Sequence, residues 1–253
     1  MTVLPTGRRT RRVALASAVG VLAVTGTGLT GCSGEDPDAG TNGVGKLSAA
    51  QIEAKSRKAA QSADAVRLSG NVVTNGVTYK LDMHLKSDGG TGSVTSKNGT
   101  FRLLRVGEHL FLKADAVFWN HEDGKSDDGG SDTAAADKLD GMYVKVPQDD
   151  PAYKRFSGFT DKNVLLDGLL TLHGKLATDG HHEQSGVRTI RITGDKGSGG
   201  TLDVSLKGTP YPLRLVRAGG AGTLSLTDWG KGFSLEEPKK QQVVDYGQQL
   251  PSS

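Results

Sequence analysis

The stretch from Ala65 to Lys86 limits what this chain can fold into more than any other, because its side chains change character at almost every residue. Val77, Tyr79, Leu81, Met83 and Leu85 share one parity, while Thr78, Lys80, Asp82, His84 and Lys86 share the other. Strand side chains point alternately to opposite faces, so one face here is apolar and the other wet. Val66, Leu68, Val72 and Thr74 repeat the pattern more loosely. Asn75-Gly76 between the two runs supplies the pair of residues tolerant of positive φ that a tight primed turn requires. The stretch therefore reads as a β-hairpin whose apolar face must meet protein, ligand or both.

More strands follow at short intervals. Thr91 to Ser96, Phe101 to Val106 and His109 to Ala114 are separated by Asn98-Gly99 and Gly107-Glu108, which makes a meandering antiparallel sheet the economical topology. Leu103-Leu104 and Leu110-Phe111-Leu112 break strict alternation, so this part of the sheet is expected to be covered on both faces. Further strands are expected at Met142 to Val146, which Pro147 to Pro151 breaks off, and at Val187 to Thr193, Thr201 to Lys207, Tyr211 to Arg217 and Gly222 to Trp229, with a closing piece from Gln241 to Tyr246. A helix is expected from Ser48, with Gln51 placed to complete a capping box, to about Ala63. Its inward face would be Ile52, Ser56, Ala59, Ala60 and Ala63. A second helix is expected from Asp161 to His173, with a stripe of Val164, Leu165, Leu169 and Leu172 widened by Leu166 and Leu170, set against or inside the curve of the sheet.

The first thirty-one residues read as an export leader: Arg8, Arg9, Arg11 and Arg12, an apolar run from Val13 to Val24, then small residues. That run is too short for an ordinary membrane span. It ends in Leu29-Thr30-Gly31-Cys32, and Cys32 is the single cysteine of the chain. Without the leader's four arginines, 27 basic residues face 28 acidic ones, so the remainder carries about −1 and offers no nucleic-acid surface. Ser33 to Lys46 is rich in Gly, Asp, Asn and Ser and reads as a flexible tether, with a root-mean-square reach of about 20 Å over its length. The expected organisation is a leader at 1–31, a tether at 32–46, one domain at 47–246 and a tail at 247–253.

No G-x-S-x-G elbow, phosphate loop, H-E-x-x-H or paired-cysteine motif occurs, which argues against an enzyme and against a cofactor. His181-His182-Glu183 between Gly180 and Gly186 lacks a strand- or helix-spaced third ligand and reads as an exposed polar turn with no metal. Asp127, Asp128 and Asp132 lack the spacing of a calcium loop and read as part of a solvated segment, Asn120 to Asp132. His84 reads as solvent-facing, and Trp119 and Trp229 as residues that flank an opening or anchor strand ends.

Several runs resemble a known family. Phe101-Arg102-Leu103-Leu104-Arg105-Val106-Gly107-Glu108-His109-Leu110-Phe111-Leu112-Lys113-Ala114, ending at Phe118-Trp119, resembles the hairpin of actinobacterial lipoproteins of the LppX/LprG type. Met142-Tyr143-Val144-Lys145-Val146-Pro147, Tyr211-Pro212-Leu213-Arg214-Leu215 and Leu224-Ser225-Leu226-Thr227-Asp228-Trp229-Gly230 are similar to later parts of it. Likewise Leu29-Thr30-Gly31-Cys32 resembles the bacterial lipobox, which implies acylation of Cys32 and a lipid anchor on the extracytoplasmic face of the membrane. The resemblance spans about Leu47 to Tyr246. It implies a mainly β fold with α (α+β), like that of the LolA-like lipoprotein carriers: a strongly curved antiparallel sheet forming an incomplete barrel, with helices packed on the concave side. It also implies an acylated lipid or lipoglycan held between sheet and helices and moved across the envelope. In such a cleft the candidate lipid-contacting residues are Val77, Tyr79, Leu81, Met83, Leu85, Phe101, Leu103, Leu165 and Leu169. The alternative is an envelope interaction or sensor module of the same fold with a filled core and an envelope protein as partner.

Overall fold

The computed structural model describes residues 37–97, 99–116, 118–119 and 138–245. The leader, Cys32, the whole acidic segment Asn120 to Asp132 and the tail lie outside the described residues. Among the described residues twelve strands form one sheet: β1 (Ala65–Thr74), β2 (Val77–Lys86), β3 (Gly89–Ser96), β4 (Gly99–Val106), β5 (His109–Ala114), β6 (Tyr143–Val146), β7 (Leu176–Gln184), β8 (Val187–Gly194), β9 (Thr201–Ser205), β10 (Pro212–Val216), β11 (Gly222–Thr227) and β12 (Val243–Asp245). Their order is β12-β6-β5-β4-β3-β2-β1-β11-β10-β9-β8-β7. All neighbours are antiparallel except β12 and β6, which run parallel. The ends of the order, β12 and β7, do not pair with each other, so the curved sheet is an incomplete barrel.

The β1–β2 hairpin is in the register its alternation demands, Val72 opposite Tyr79 and Leu68 opposite Met83, with Asn75 and Gly76 both at positive φ. Its apolar parity faces the core, over which lie α1 (Ala49–Ser62), α2 (Pro151–Thr160) and α3 (Lys162–Leu169). Helix α1 packs on β7, β8 and β10, α2 on β2, β3 and β4, and α3 touches both other helices. Ser48 and Gln51 form the expected capping box, and Ile52, Ser56 and Ala60 are buried beneath α1. Ala63 lies just past its end and is buried, while Ala59 is only half-buried.

Four expectations need correction. Helix α2 escapes the sequence reading because Pro147 to Pro151 reads as a break, whereas Pro151 stands at the first helical position with Asp150 capping Ala152 N at 2.7 Å. The second expected helix is shorter, Lys162–Leu169, and its stripe is rotated: Val164 is 61% exposed, while Leu166, Leu169, Leu170 and Leu172 are buried. The His181-His182 turn is instead part of β7, an exposed edge strand with too little apolar alternation to read as one. The tether, finally, is docked from Pro37 onward: Asn42 Nδ2 donates to the carbonyls of Ser205 (3.0 Å) and Gly208 (2.9 Å), Asn42 N to Leu206 O (2.8 Å), and Val44 is buried. Its polar residues hydrogen-bond the end of β9, a contact that composition does not reveal.

The outer face is covered where the doubly apolar runs required it. After β11 the chain crosses back over the outside of the sheet: Phe233 meets the His84 ring at 5.6 Å, Leu235 lies against Gly89, and Glu237 pairs with His109 at 2.5 Å, before β12 joins β6. This strap runs along the row His84, Thr91, Leu104 and Phe111, and both Leu104 and Phe111 are buried. Trp229 stacks on Tyr211 at 4.7 Å and donates to Pro212 O at 3.0 Å, so it anchors strand ends.

Candidate functional site

The inner face of the sheet and the helices enclose one apolar interior. Leu81, Met83, Leu85 and Leu103 line it and are almost wholly buried, as is Phe101. Phe101 belongs to an aromatic cluster with Phe118 (5.2 Å) and Phe156 (5.4 Å), and Phe118 in turn meets Trp119 (5.3 Å). Tyr79 and Leu165 are half-buried at the edge of this interior, Val77 is half-buried near the hairpin tip, and Leu169 is 9% exposed. The structure thus brings eight of the nine candidates to a single core and leaves Val77 beside it. Among the described residues three side-chain polar atoms, Ser56 Oγ, Trp119 Nε1 and Thr189 Oγ1, are buried with no hydrogen-bond partner.

Polar contacts hold the helices over this interior. At the α2–α3 junction Arg105 donates to Thr160 Oγ1 and Thr160 O, both at 3.1 Å, and lies 3.7 Å from Asp161, whose carboxylate caps α3. Gly90 makes the approach feasible, because a Cβ there would sit 3.1 Å from Thr160 O. Lys162, buried, donates Nζ to Gln61 O (2.8 Å) and Ala63 O at the end of α1, and burial lowers its pKa. Farther along, Asp167 takes Gln61 Nε2 at 2.7 Å and Arg57 at 3.4 Å, and Glu53 accepts Leu172 N at 3.0 Å. Sequence reasoning finds none of these latches, since each joins residues remote in the chain.

A cleft of about 60 Å³ opens where α3 ends, lined by Gly168, Leu169, Thr171, Leu172, His173, Gly199, Leu215, Val216, Arg217 and Ala218. It is far smaller than the roughly 300–1,000 Å³ of a drug-sized ligand site, so it is a mouth and not a chamber. The outer face carries ion pairs instead. Arg67 forks onto Asp82 at 2.9 and 2.8 Å, which holds the carboxyl below its ordinary range and raises the guanidinium. Arg191 forks onto buried Asp203 at 2.7 and 3.1 Å, with Gln184 at 2.9 Å and Arg214 at 3.8 Å. His181 and His182 find separate partners, Asp38 at 3.1 Å and the carbonyl of Asp179 at 2.8 Å. Among the described residues no group of three His, Cys, Asp or Glu is placed to hold a metal, and no helix is long and apolar enough to cross a membrane.

Fold and interior together define an open, helix-lidded half-barrel of the α+β class. Its likeness to solved structures is of the fold. LprF from Mycobacterium bovis is 15% identical with a TM-score of 0.48, covering 75% of this chain and 96% of that one. The Mycobacterium tuberculosis lipoprotein LppX is 15% identical with a TM-score of 0.44, covering 73% and 98%. An uncharacterised conserved protein from Thermus thermophilus is 11% identical with a TM-score of 0.37, covering 78% and 98%. No family model matches the chain, and no curated protein matches it.

Proposed function

We propose that this protein is an envelope lipoprotein, anchored through acylated Cys32, whose half-barrel takes the acyl chains of a lipid or lipoglycan between sheet and helices and carries them across the envelope. The observation that carries the reading is the construction of the interior: an apolar sheet face covered by three helices that are fastened by polar latches. An acyl chain needs only such a surface, since each methylene removed from water contributes about 0.8 kcal/mol. The leader and lipobox support the anchor. Cys32 precedes Pro37 by five residues, and Pro37 O accepts from Arg188 on β8. Nothing in the arrangement calls for a catalytic group, and no enzymatic step is proposed.

The filled interior favours a second reading, an interaction or sensor module with no cargo. Met83, Leu85, Leu103 and Leu202 are fully buried and the mouth is small. One experiment separates the two. The chain from Ser33 is exposed to envelope lipids, repurified and examined by native mass spectrometry with organic extraction. Near-stoichiometric acyl lipid, lost in Val77→Asp and Tyr79→Asp variants that still melt cooperatively, is the expected result. Protein that stays free of lipid under all loading conditions refutes the carrier and leaves the module.

A further inference from the structure

Resting on the carrier reading, we propose that Arg217 is the anion-recognition residue of the mouth. It would take the phosphate of an anionic diacyl lipid whose chains pass inward beside Leu169, Leu172 and Leu215. The lining of the cleft is mainly polar, with Thr171, His173 and Arg217 set beside the edges of those leucines. A polar rim that borders the apolar interior suits the head of an amphiphile.

Arg217 differs from most arginines of the domain. Arg57, Arg67, Arg105, Arg191 and Arg214 each lie within 3.8 Å of a carboxylate. Among the described residues Arg217 has no acidic partner. Its guanidinium, half-buried, donates only through Nη1, to Val73 O at 3.3 Å and Ala221 O at 3.4 Å. A guanidinium has five N–H donors in a fixed fork, so Nε and Nη2 keep donors without a protein acceptor. The two carbonyls hold the group in place while its charge stays uncompensated. A planar fork of this kind suits the paired oxygens of a phosphate better than a single point charge does. The carboxylates near the cleft wall are already engaged: Glu53 accepts from Leu172 N, Asp167 from Gln61 Nε2 and Asp195 from Lys175 N. Gly168 and Gly199 bring no side chain to the lining, and a Cβ on Gly168 would meet nothing within 4 Å. The rim on the Gly168 side is therefore open to a headgroup.

The test loads the chain from Ser33 with phosphatidylglycerol or with diacylglycerol of the same acyl chains and reads bound lipid by native mass spectrometry. The wild type is expected to retain phosphatidylglycerol at least tenfold better. Arg217→Gln should abolish that preference while retaining diacylglycerol as the wild type does, and Arg217→Lys should restore part of it. Arg102→Gln, an equal charge change on the exposed outer face, should leave the preference intact. An unchanged preference in Arg217→Gln, with cooperative melting retained, overturns the role of Arg217 and spares the carrier. Displacement of phosphatidylglycerol by equimolar inorganic phosphate would assign the site to a soluble anion and overturn the lipid headgroup. Retention of neither lipid by the wild type overturns the carrier reading itself. If Arg217→Gln does not fold, the wild-type ratio and Arg217→Lys decide the matter: equal retention of the two lipids, or no difference between Lys and Arg at this position, counts against the fork.

Discussion

Asn42→Ala tests whether the segment before α1 is part of the domain or a free tether. The wild-type side chain donates to Ser205 O at 3.0 Å and Gly208 O at 2.9 Å and accepts from Val44 N at 3.1 Å. Each such bond is worth about 0.5–1.5 kcal/mol net, and their setting is half-exposed, so a value in the lower half of the range, about 0.7 kcal/mol, applies and the three together contribute about 2 kcal/mol. The loss should fall on local docking, because the sheet does not need this segment to close its ladders. At about 1.4 kcal/mol per tenfold, the backbone amide of residue 42, which donates to Leu206 O at 2.8 Å, should exchange with solvent roughly 30-fold faster. The Leu206 amide, bonded to Arg188 O at 2.9 Å, belongs to the sheet and should keep its protection. Native-state hydrogen exchange reads both. Unchanged exchange at residue 42 would show that docking does not depend on these bonds. Equal acceleration at residues 42 and 206 would show that the segment supports the whole domain, and either result refutes the argument.

Three further outcomes follow from the packing. Asp203→Ala strips the carboxylate, 1% exposed, from Arg191 and Arg214, and should cost about 3 kcal/mol in urea unfolding, since a charge is left without its partner. Gly90→Ala would put a Cβ 2.7 Å from Leu85 and 3.1 Å from Thr160 O, so a loss of about 1–3 kcal/mol and loosened protection of α2 are expected. Lys162 has its pKa lowered from 10.5 by burial, so the unfolded chain binds this proton more tightly than the native one. The contribution of this group to stability therefore rises as pH climbs from the lowered value toward 10.5, and denaturation of the wild type against Lys162→Met across that window should show the rise in the wild type alone.

Strand pairs with strict alternation are legible in the sequence itself, and the reason is local: in β2 every second residue answers to the same face, and Asn75-Gly76 fixes the turn. Leu103-Leu104 and Leu110-Phe111-Leu112 also signal a second cover, though not its origin. The strap that supplies it comes from more than a hundred residues later and carries only scattered apolar residues, Phe233 and Leu235 among them. Helix α3 is misread in phase, because Val164 belongs to the apolar run in sequence yet sits on the side that no element covers. Strand β7 is hidden because a solvent-facing edge needs no apolar alternation. At the mouth, Leu169 is within reach of sequence reasoning as part of a leucine stripe. Arg217 is not, since its place at the cleft and its freedom from an acidic partner are both set by the fold.

The closed interior also bears on which cargo the proposed carrier would keep. Swinging α3 away would expose Leu166, Leu169, Leu170 and Leu172, at about 2 kcal/mol each when none is covered again. A single chain of about fifteen methylenes gains roughly 12 kcal/mol gross, and association costs at least about 4 kcal/mol in lost freedom. Opening and association together therefore consume nearly all that one chain supplies. A second chain enters an interior already opened and adds its burial with no further leucine exposed. Diacyl lipids should thus be retained through repurification while a free fatty acid of the same chain length is lost, a difference that native mass spectrometry reads directly. Equal retention of the two would mean that a chain slips in without lifting α3, and that the latches at Lys162 and Asp167 hold no gate.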